Sequence, residues 1–235
     1  KAGLMFAGLF VPKEAPEWAY ERETLWSAVE RHEKRKDAQL AREIEVALPH
    51  ELTDRQRQWL VQDFVREQFT RHGFVADVAI HAPDRQGDTR NYHAHILIPT
   101  RTLTREGFGP KARDLNTKEQ LAQWREQWAH LANRHLERHG HAARLDHRTL
   151  AAQGLDREPT LHLGPQVAAM QAKGLPTDRG DQARAIVARN QERDALTREA
   201  AQTAEAQQAH EQEARTATPP DAPTRSGRRP RRDGG

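Results

Sequence analysis

Residues 92–98, Tyr-His-Ala-His-Ile-Leu-Ile, constrain the fold more than any other stretch of the chain. Polar and apolar positions alternate there and β-branched residues are frequent, which predicts a strand with two unlike faces. Side chains two apart on a strand project together, so His93 and His95 share one face while Ala94, Ile96 and Ile98 share the other. The run 74–81 also reads as a strand, and it ends in His81. A polar turn, 83–90, lies between the two, with Gly87 at the reversal. A hairpin of this kind returns His81 to the side of His93 and His95. Three convergent neutral imidazoles make an open metal site, with positions left for water or substrate. A histidine pair spaced by one residue arises by chance in a chain with 13 histidines. The third histidine at a hairpin's distance and the apolar opposite face favour the metal reading.

The remaining elements build a layer around that hairpin. Residues 3–11 read as a strand stopped by Pro12 and Pro16. Residues 17–36 read as a helix with Leu25, Trp26 and Val29 on one stripe, Trp18 and Trp26 as packing residues, and a basic end of Arg31, Lys34, Arg35 and Lys36. That basic end suits either solvent or phosphate contact. Residues 38–48 read as a strand with Leu40, Ile44 and Val46 facing the packing side. Glu43 and Glu45 face the other side, where carboxylates beside histidines can orient a ligand or take a proton. Thr53-x-x-Gln56 is a capping box opening a helix to about His72, closed by Gly73, with Val61, Phe64, Val65 and Phe69 buried against the sheet face away from the histidines. Residues 100–113 read as a polar, basic loop in which Arg101, Arg105, Lys111 and Arg113 are candidate phosphate clamps. Thr117-x-x-Gln120 opens another helix, ending at Gly140, with Leu121, Trp124, Trp128, Leu131 and Leu136 along one side. The fold class expected is α+β, a mainly antiparallel sheet with helices on one face.

The domain expected for this layer covers residues 1–164. Beyond it a helical extension is expected over 165–215, rich in Ala, Gln, Glu and Arg with little to bury. Residues 216–235 are disordered by composition, and their arginines suit nonspecific DNA contact. A mean hydropathy of −0.96 agrees with a chain of which a sizeable part never packs. The absence of Cys excludes disulfides and thiolate metal sites and fits a reducing cytoplasm. No apolar run approaches the ~20 residues that cross a bilayer, so no membrane partner is expected. The chain starts with Lys1, directly in a strand-like run, and the natural amino terminus is expected upstream.

His81-x-x-Asp84 followed by Asn91-x-His93-x-His95-Ile96-Leu97 resembles the three-histidine motif of the MobA/MobL relaxases, members of the HUH superfamily of single-strand endonucleases. Two further blocks, 33–49 and 145–165, resemble the same family, and the likeness spans roughly residues 16–190. The resemblance implies a bacterial, plasmid-encoded cytoplasmic protein that nicks one strand at an origin of transfer and stays joined to the 5′ phosphate through a tyrosine. It implies Mg²⁺ or Mn²⁺ on His81, His93 and His95, although all-nitrogen ligation on softness favours Mn²⁺, Zn²⁺ or Ni²⁺. Glu43 and Glu51 match the family's acidic positions linked to the active site, and the block 145–165 is implied to dock back on the nuclease domain, with Arg148 and Arg157 as DNA contacts. His147 and His162 read as fold elements rather than ligands. Relaxosome accessory proteins and a coupling protein are implied partners, and related chains often continue into a helicase or primase. Tyr20 and Tyr92 are the tyrosines of this chain, and neither matches the family's nucleophile, which is expected upstream of Lys1. The alternatives are a rolling-circle replication initiator or transposase with the same site, a non-catalytic single-stranded DNA-binding module, and a metal-dependent hydrolase using bound water. The lack of any tyrosine after Tyr92 speaks against the first.

Overall fold

Strand alternation at residues 93–98 sets the architecture. In the computed structural model, which describes residues 3–83, 88–161 and 163–217, the chain begins with β1 (Leu4–Phe10) and α1 (Arg22–His32), and then runs through β2 (Ala41–Ala47) and α2 (Asp54–Gln68). The strands β3 (Ala76–His81) and β4 (His93–Pro99) follow. The sheet order is β1-β3-β4-β2, and all three pairings are antiparallel. The histidine strand β4 is therefore internal, flanked by β3 and β2.

Ala94, Ile96 and Ile98 are wholly buried. They pack in one cluster with Phe64 of α2 and with Trp124, Trp128 and Leu131 of α3 (Lys118–Arg138). Edge contacts lock the layer: Phe64 lies 5.6 Å from Phe69 and 5.1 Å from Trp128, and Trp124 lies 5.5 Å from Phe69, ring centre to ring centre. Thr53 caps α2 in both directions with Gln56, at 2.8 and 3.4 Å, and Gly73 ends the following turn at φ 83. Thr117 accepts from the Gln120 backbone at 3.2 Å and so caps α3. The two long helices thus cover the face away from the histidines. On the histidine face α1 reaches the sheet through Arg22 and Trp26, which donate to Asp77 at 3.0 and 2.9 Å.

Three expectations are corrected. The helix expected over 17–36 is a 3-10 turn (Glu17–Tyr20) and then α1, separated by the extended Glu21 (φ −98, ψ 115). Lys34, Arg35 and Lys36 lie in the loop after α1, not on its last turn. The loop expected over 100–113 contains a hairpin, β5 (Arg101–Thr104) and β6 (Gly107–Lys111), with Gly107 at φ 118 in its turn. Its apolar content is small, but Leu103, 2% exposed, pairs with Phe108, and Phe108 packs on Trp18 at 5.7 Å. Leu121, expected in the α3 stripe, is 54% exposed.

Glu33 explains why α1 stops where it does. Its side chain is 7% exposed and meets Arg101 at 2.7 Å and Lys111 at 3.0 Å, fastening the α1 end to β5 and β6. Burial pushes its carboxyl up, but the hydrogen bonds from Arg101 and Lys111 outweigh that and hold it below its ordinary 4.5. A carboxyl depressed in the folded state adds stability above its unfolded pKa, and that stability is lost as pH falls through the folded value. Glu33→Gln is expected to cost about 2 kcal/mol at neutral pH, less than a fully buried pair because both cations are partly exposed. The gap between variant and wild type in urea melts should narrow as the pH falls through the depressed folded value and the wild-type carboxyl takes up its proton.

The chain divides into two compact units, Lys1–Arg148 and Thr149–Gly235. In the second, α4 (Gly164–Ala172) and α5 (Asp178–Ala217) are the helices expected for the extension. Residues 149–164, read with the first domain from sequence, include Glu158, which bonds Arg189 at 2.6 and 2.8 Å and Asn190 at 2.8 and 2.9 Å on α5. The tail 218–235, Asp84, Gly87 and His162 lie outside the described residues.

Candidate metal centre

The turn before β4 aims the first histidine. Asp88 accepts from the Arg90 backbone at 2.9 Å and from its guanidinium at 3.0 and 2.8 Å. These bonds hold the Asp88 carboxyl well below the usual range, at about 2. The Asn91 amide closes on the Asp88 carbonyl at 3.0 Å. The Asn91 carbonyl then lies 2.9 Å from His93 Nδ1.

Register brings the other groups alongside. His81 is paired with His93, and His95 lies between Ala79 of β3 and Glu45 of β2. The three imidazoles form a triangle with ring centres 5.2 to 5.4 Å apart. Glu43 reaches His95 Nδ1 at 2.7 Å. A carbonyl and a carboxylate oxygen both accept, so the Nδ1 atoms of His93 and His95 carry the hydrogens. In each neutral ring the lone pair then sits on Nε2. One donor atom each from Glu45, His93 and His95 lies within 4.8 Å of the others. Two imidazole nitrogens with a carboxylate oxygen suit a divalent cation, and partners on the far ring nitrogen fix ligand orientation. The register also sets small residues, Ala7, Ala47 and Ala79, on the cluster's face of the sheet.

Of the two acidic positions carried by resemblance, Glu43 joins the cluster through His95, whereas Glu51 lies in the turn after β2 with its carboxylate 3.4 Å from His50. Glu45 was legible as a carboxylate on the histidine face but not as a donor in reach of two imidazoles. The signal was the period of two shared with Glu43, together with a register that sequence does not give. Removing the far-side partner by Glu43→Gln is expected to weaken Mn²⁺ binding about tenfold without unfolding the chain, as read by calorimetry.

The basic candidates divide. Arg101 and Lys111 are committed to Glu33, and Arg101 also donates to the Gly109 carbonyl at 3.0 Å. Arg105 pairs with Glu14 on the exposed end of the hairpin. Arg113 is exposed and lines a cavity beside the end of α1. Arg148 is bonded to Asp146, at 2.6 Å at its nearest, and Arg157 lies 3.5 Å from Asp194. Tyr20 is 56% exposed on its 3-10 turn. Tyr92 packs against the core, with the Arg57 guanidinium 3.5 Å over its ring.

The chain is similar in sequence and fold to known proteins. "Mobilization protein MobL" of Acidithiobacillus ferridurans is 37% identical over 203 residues, 74% of this chain and 53% of that protein. "Mobilization protein A" of Escherichia coli is 38% identical over 184 residues, 71% of this chain and 25% of that protein. A solved structure described as "Molecular Basis of Vancomycin Resistance Transfer in Staphylococcus aureus" superposes with a TM-score of 0.56 at 32% identity, covering 62% of this chain and 76% of that one. The chain therefore spans about half the length of the first relative and a quarter of the second. The family model described as "MobA/MobL family" matches residues 1–173, which takes in the sheet, its helices and the three-histidine hairpin; the chain belongs to the MobA/MobL family.

Proposed function

We propose that this chain carries the metal-dependent DNA-nicking module of a plasmid-mobilisation relaxase, acting on single-stranded DNA at an origin of transfer. The observation that carries the reading is the fixed orientation of His93 and His95: both Nδ1 atoms are occupied, and both Nε2 atoms are left for a ligand shared with Glu45. His81, stacked on His93 with planes 12° apart, is the third imidazole of the proposed set, as the family motif implies. A divalent cation held there supplies Lewis-acid neutralisation of charge on a phosphodiester oxygen. Glu43 keeps His95 in the ligating tautomer. The Asn91 carbonyl does the same for His93, and the surrounding alanines admit the backbone of a strand.

Cleavage by transesterification joins a tyrosine oxygen to phosphorus and releases the 3′ hydroxyl of the neighbouring nucleotide. Tyr92 is a poor candidate for the nucleophile, because its ring is covered by Arg57 on the core side. The chain of residues 1–235 is expected to bind Mn²⁺ and a single strand but to form no covalent adduct. Incubation with an origin oligonucleotide and Mn²⁺, followed by denaturing electrophoresis, checks this. An adduct abolished by Tyr20→Phe would make Tyr20 the nucleophile. Multiple turnover without an adduct would favour a hydrolase using water. Strand binding indifferent to chelators would favour a non-catalytic binding module. Relaxosome proteins and a coupling protein are the partners this reading entails. Among the described residues no helix is long and apolar enough to cross a membrane.

A further inference from the structure

We propose that the cavity between the end of α1 and the β5–β6 hairpin is a phosphate-binding station for the same DNA strand, separate from the histidine cluster. The proposal rests on the relaxase reading. The cavity, of about 660 Å³, is lined by both basic runs that stand out in the sequence, one from 31–35 and the other from 101–113. Its cations are not equivalent. Arg101 and Lys111 are spent on Glu33, and Arg35 is bonded to Asp37 at 2.7 Å. The side chains of Arg31, Lys34 and Arg113 have no hydrogen-bond or ion-pair partner among the described residues. Three cations held around one concavity repel one another, and an anion in their midst relieves that repulsion.

The chemistry of the walls selects the backbone rather than the bases. The lining holds no Phe, Tyr or Trp, and the His32 ring packs on Phe108 at 5.1 Å. A stacking platform for a base is therefore missing, while donors for phosphate oxygens are plentiful. The volume is in the range of small-molecule sites and well above that of one phosphate, so a stretch of sugar-phosphate fits. Position agrees. Gln39 lies on the cavity wall, six residues before Glu45 of the cluster along the strand direction, which is roughly 20 Å at strand rise. A single strand with one phosphate at the cluster can reach the cavity a few nucleotides away. Contact there holds the strand independently of sequence, while the cluster addresses the phosphate to be cut.

The test uses the whole chain, a fluorescein-labelled mixed-sequence single strand, and anisotropy over a series of salt concentrations. The variant Arg31→Gln/Lys34→Gln/Arg113→Gln is expected to bind at least tenfold more weakly. The slope of log affinity against log salt should flatten by roughly 2, about 0.7 for each phosphate that no longer meets a cation. Mn²⁺ uptake and the melting temperature should not change. Arg31→Lys/Arg113→Lys should restore most of the slope, since charge rather than fork geometry is required. A triple variant with wild-type affinity and slope overturns this proposal and leaves the relaxase reading intact. A wild type that binds no strand overturns both. Inorganic phosphate and dTMP form the last arm. If they bind the wild type and not the variant while strand affinity stays the same, the cavity is a small-anion site and the DNA assignment is wrong.

Discussion

His95→Ala is expected to lower Mn²⁺ affinity by at least about a hundredfold, roughly 3 kcal/mol of binding free energy, read by calorimetry on the intact chain. The substitution removes a ring whose Nδ1 lies 2.7 Å from Glu43 and which offers a donor atom in reach of both His93 and Glu45. His93→Ala should do the same. The more informative pair is His81→Ala and Glu45→Gln. If His81→Ala costs as much as His95→Ala, the sphere contains all three imidazoles. If it costs little and Glu45→Gln costs much, the sphere is Glu45, His93 and His95. Equal affinity across all four variants would remove the metal centre altogether. The fold should survive these changes, since the cluster lies on the open face and the His95 side chain is 34% exposed.

Arg57→Ala is the substitution expected to cost most in stability, about 3 kcal/mol, or roughly 10 °C in melting temperature for a chain of this size. Arg57 is 4% exposed. It donates to the Pro49 carbonyl at 3.0 Å and the His50 carbonyl at 2.9 Å, and pairs with Asp54 at 2.6 Å. Truncation strands two backbone carbonyls and uncovers the Tyr92 ring. Arg57→Lys should recover little, because one ammonium cannot reproduce the planar fork over an aromatic face. The effect should spread to the site. Tyr92 precedes His93, and its carbonyl accepts from the Leu48 amide at 2.8 Å, so Arg57, the β2 exit and the β4 entry form one unit. A melting curve unchanged by Arg57→Ala would show that the loop is held by other contacts.

Sequence carried the centre of this molecule further than its rim. The alternation at residues 93–98 predicted both the buried face, with Ala94, Ile96 and Ile98 wholly inaccessible, and the gathering of His81, His93 and His95. Thr53 and Gln56 announced the start of α2, because capping is a local interaction between neighbours in sequence. The hairpin β5–β6 was hidden, because its stability comes from Leu103 and Phe108 meeting Trp18 and α1, contacts remote in sequence, while its own residues are mostly polar. Glu33 and Arg57 were hidden for the same reason. Neither drew a reading of its own from the sequence, and only long-range partners bury them. Arg101 and Lys111, read from sequence as candidate phosphate clamps, meet an anion within the chain in Glu33, a partner remote in sequence. Glu45 was placed on the histidine face beside Glu43 but not singled out as a ligand, because pairing register decides which carboxylate stands beside which imidazole.

That register has a consequence of its own. A slip of a single position between β2 and β4 would turn Glu43 and Glu45 inward and present Arg42, Ile44 and Val46 beside the imidazoles. Two anions would then be trapped among Phe64 and Trp128, and neither β2 carboxylate would remain beside His93 or His95. Cation uptake by this chain is therefore also a gauge of correct strand alignment, and a misaligned refolding product should betray itself as a fraction that stays deaf to Mn²⁺.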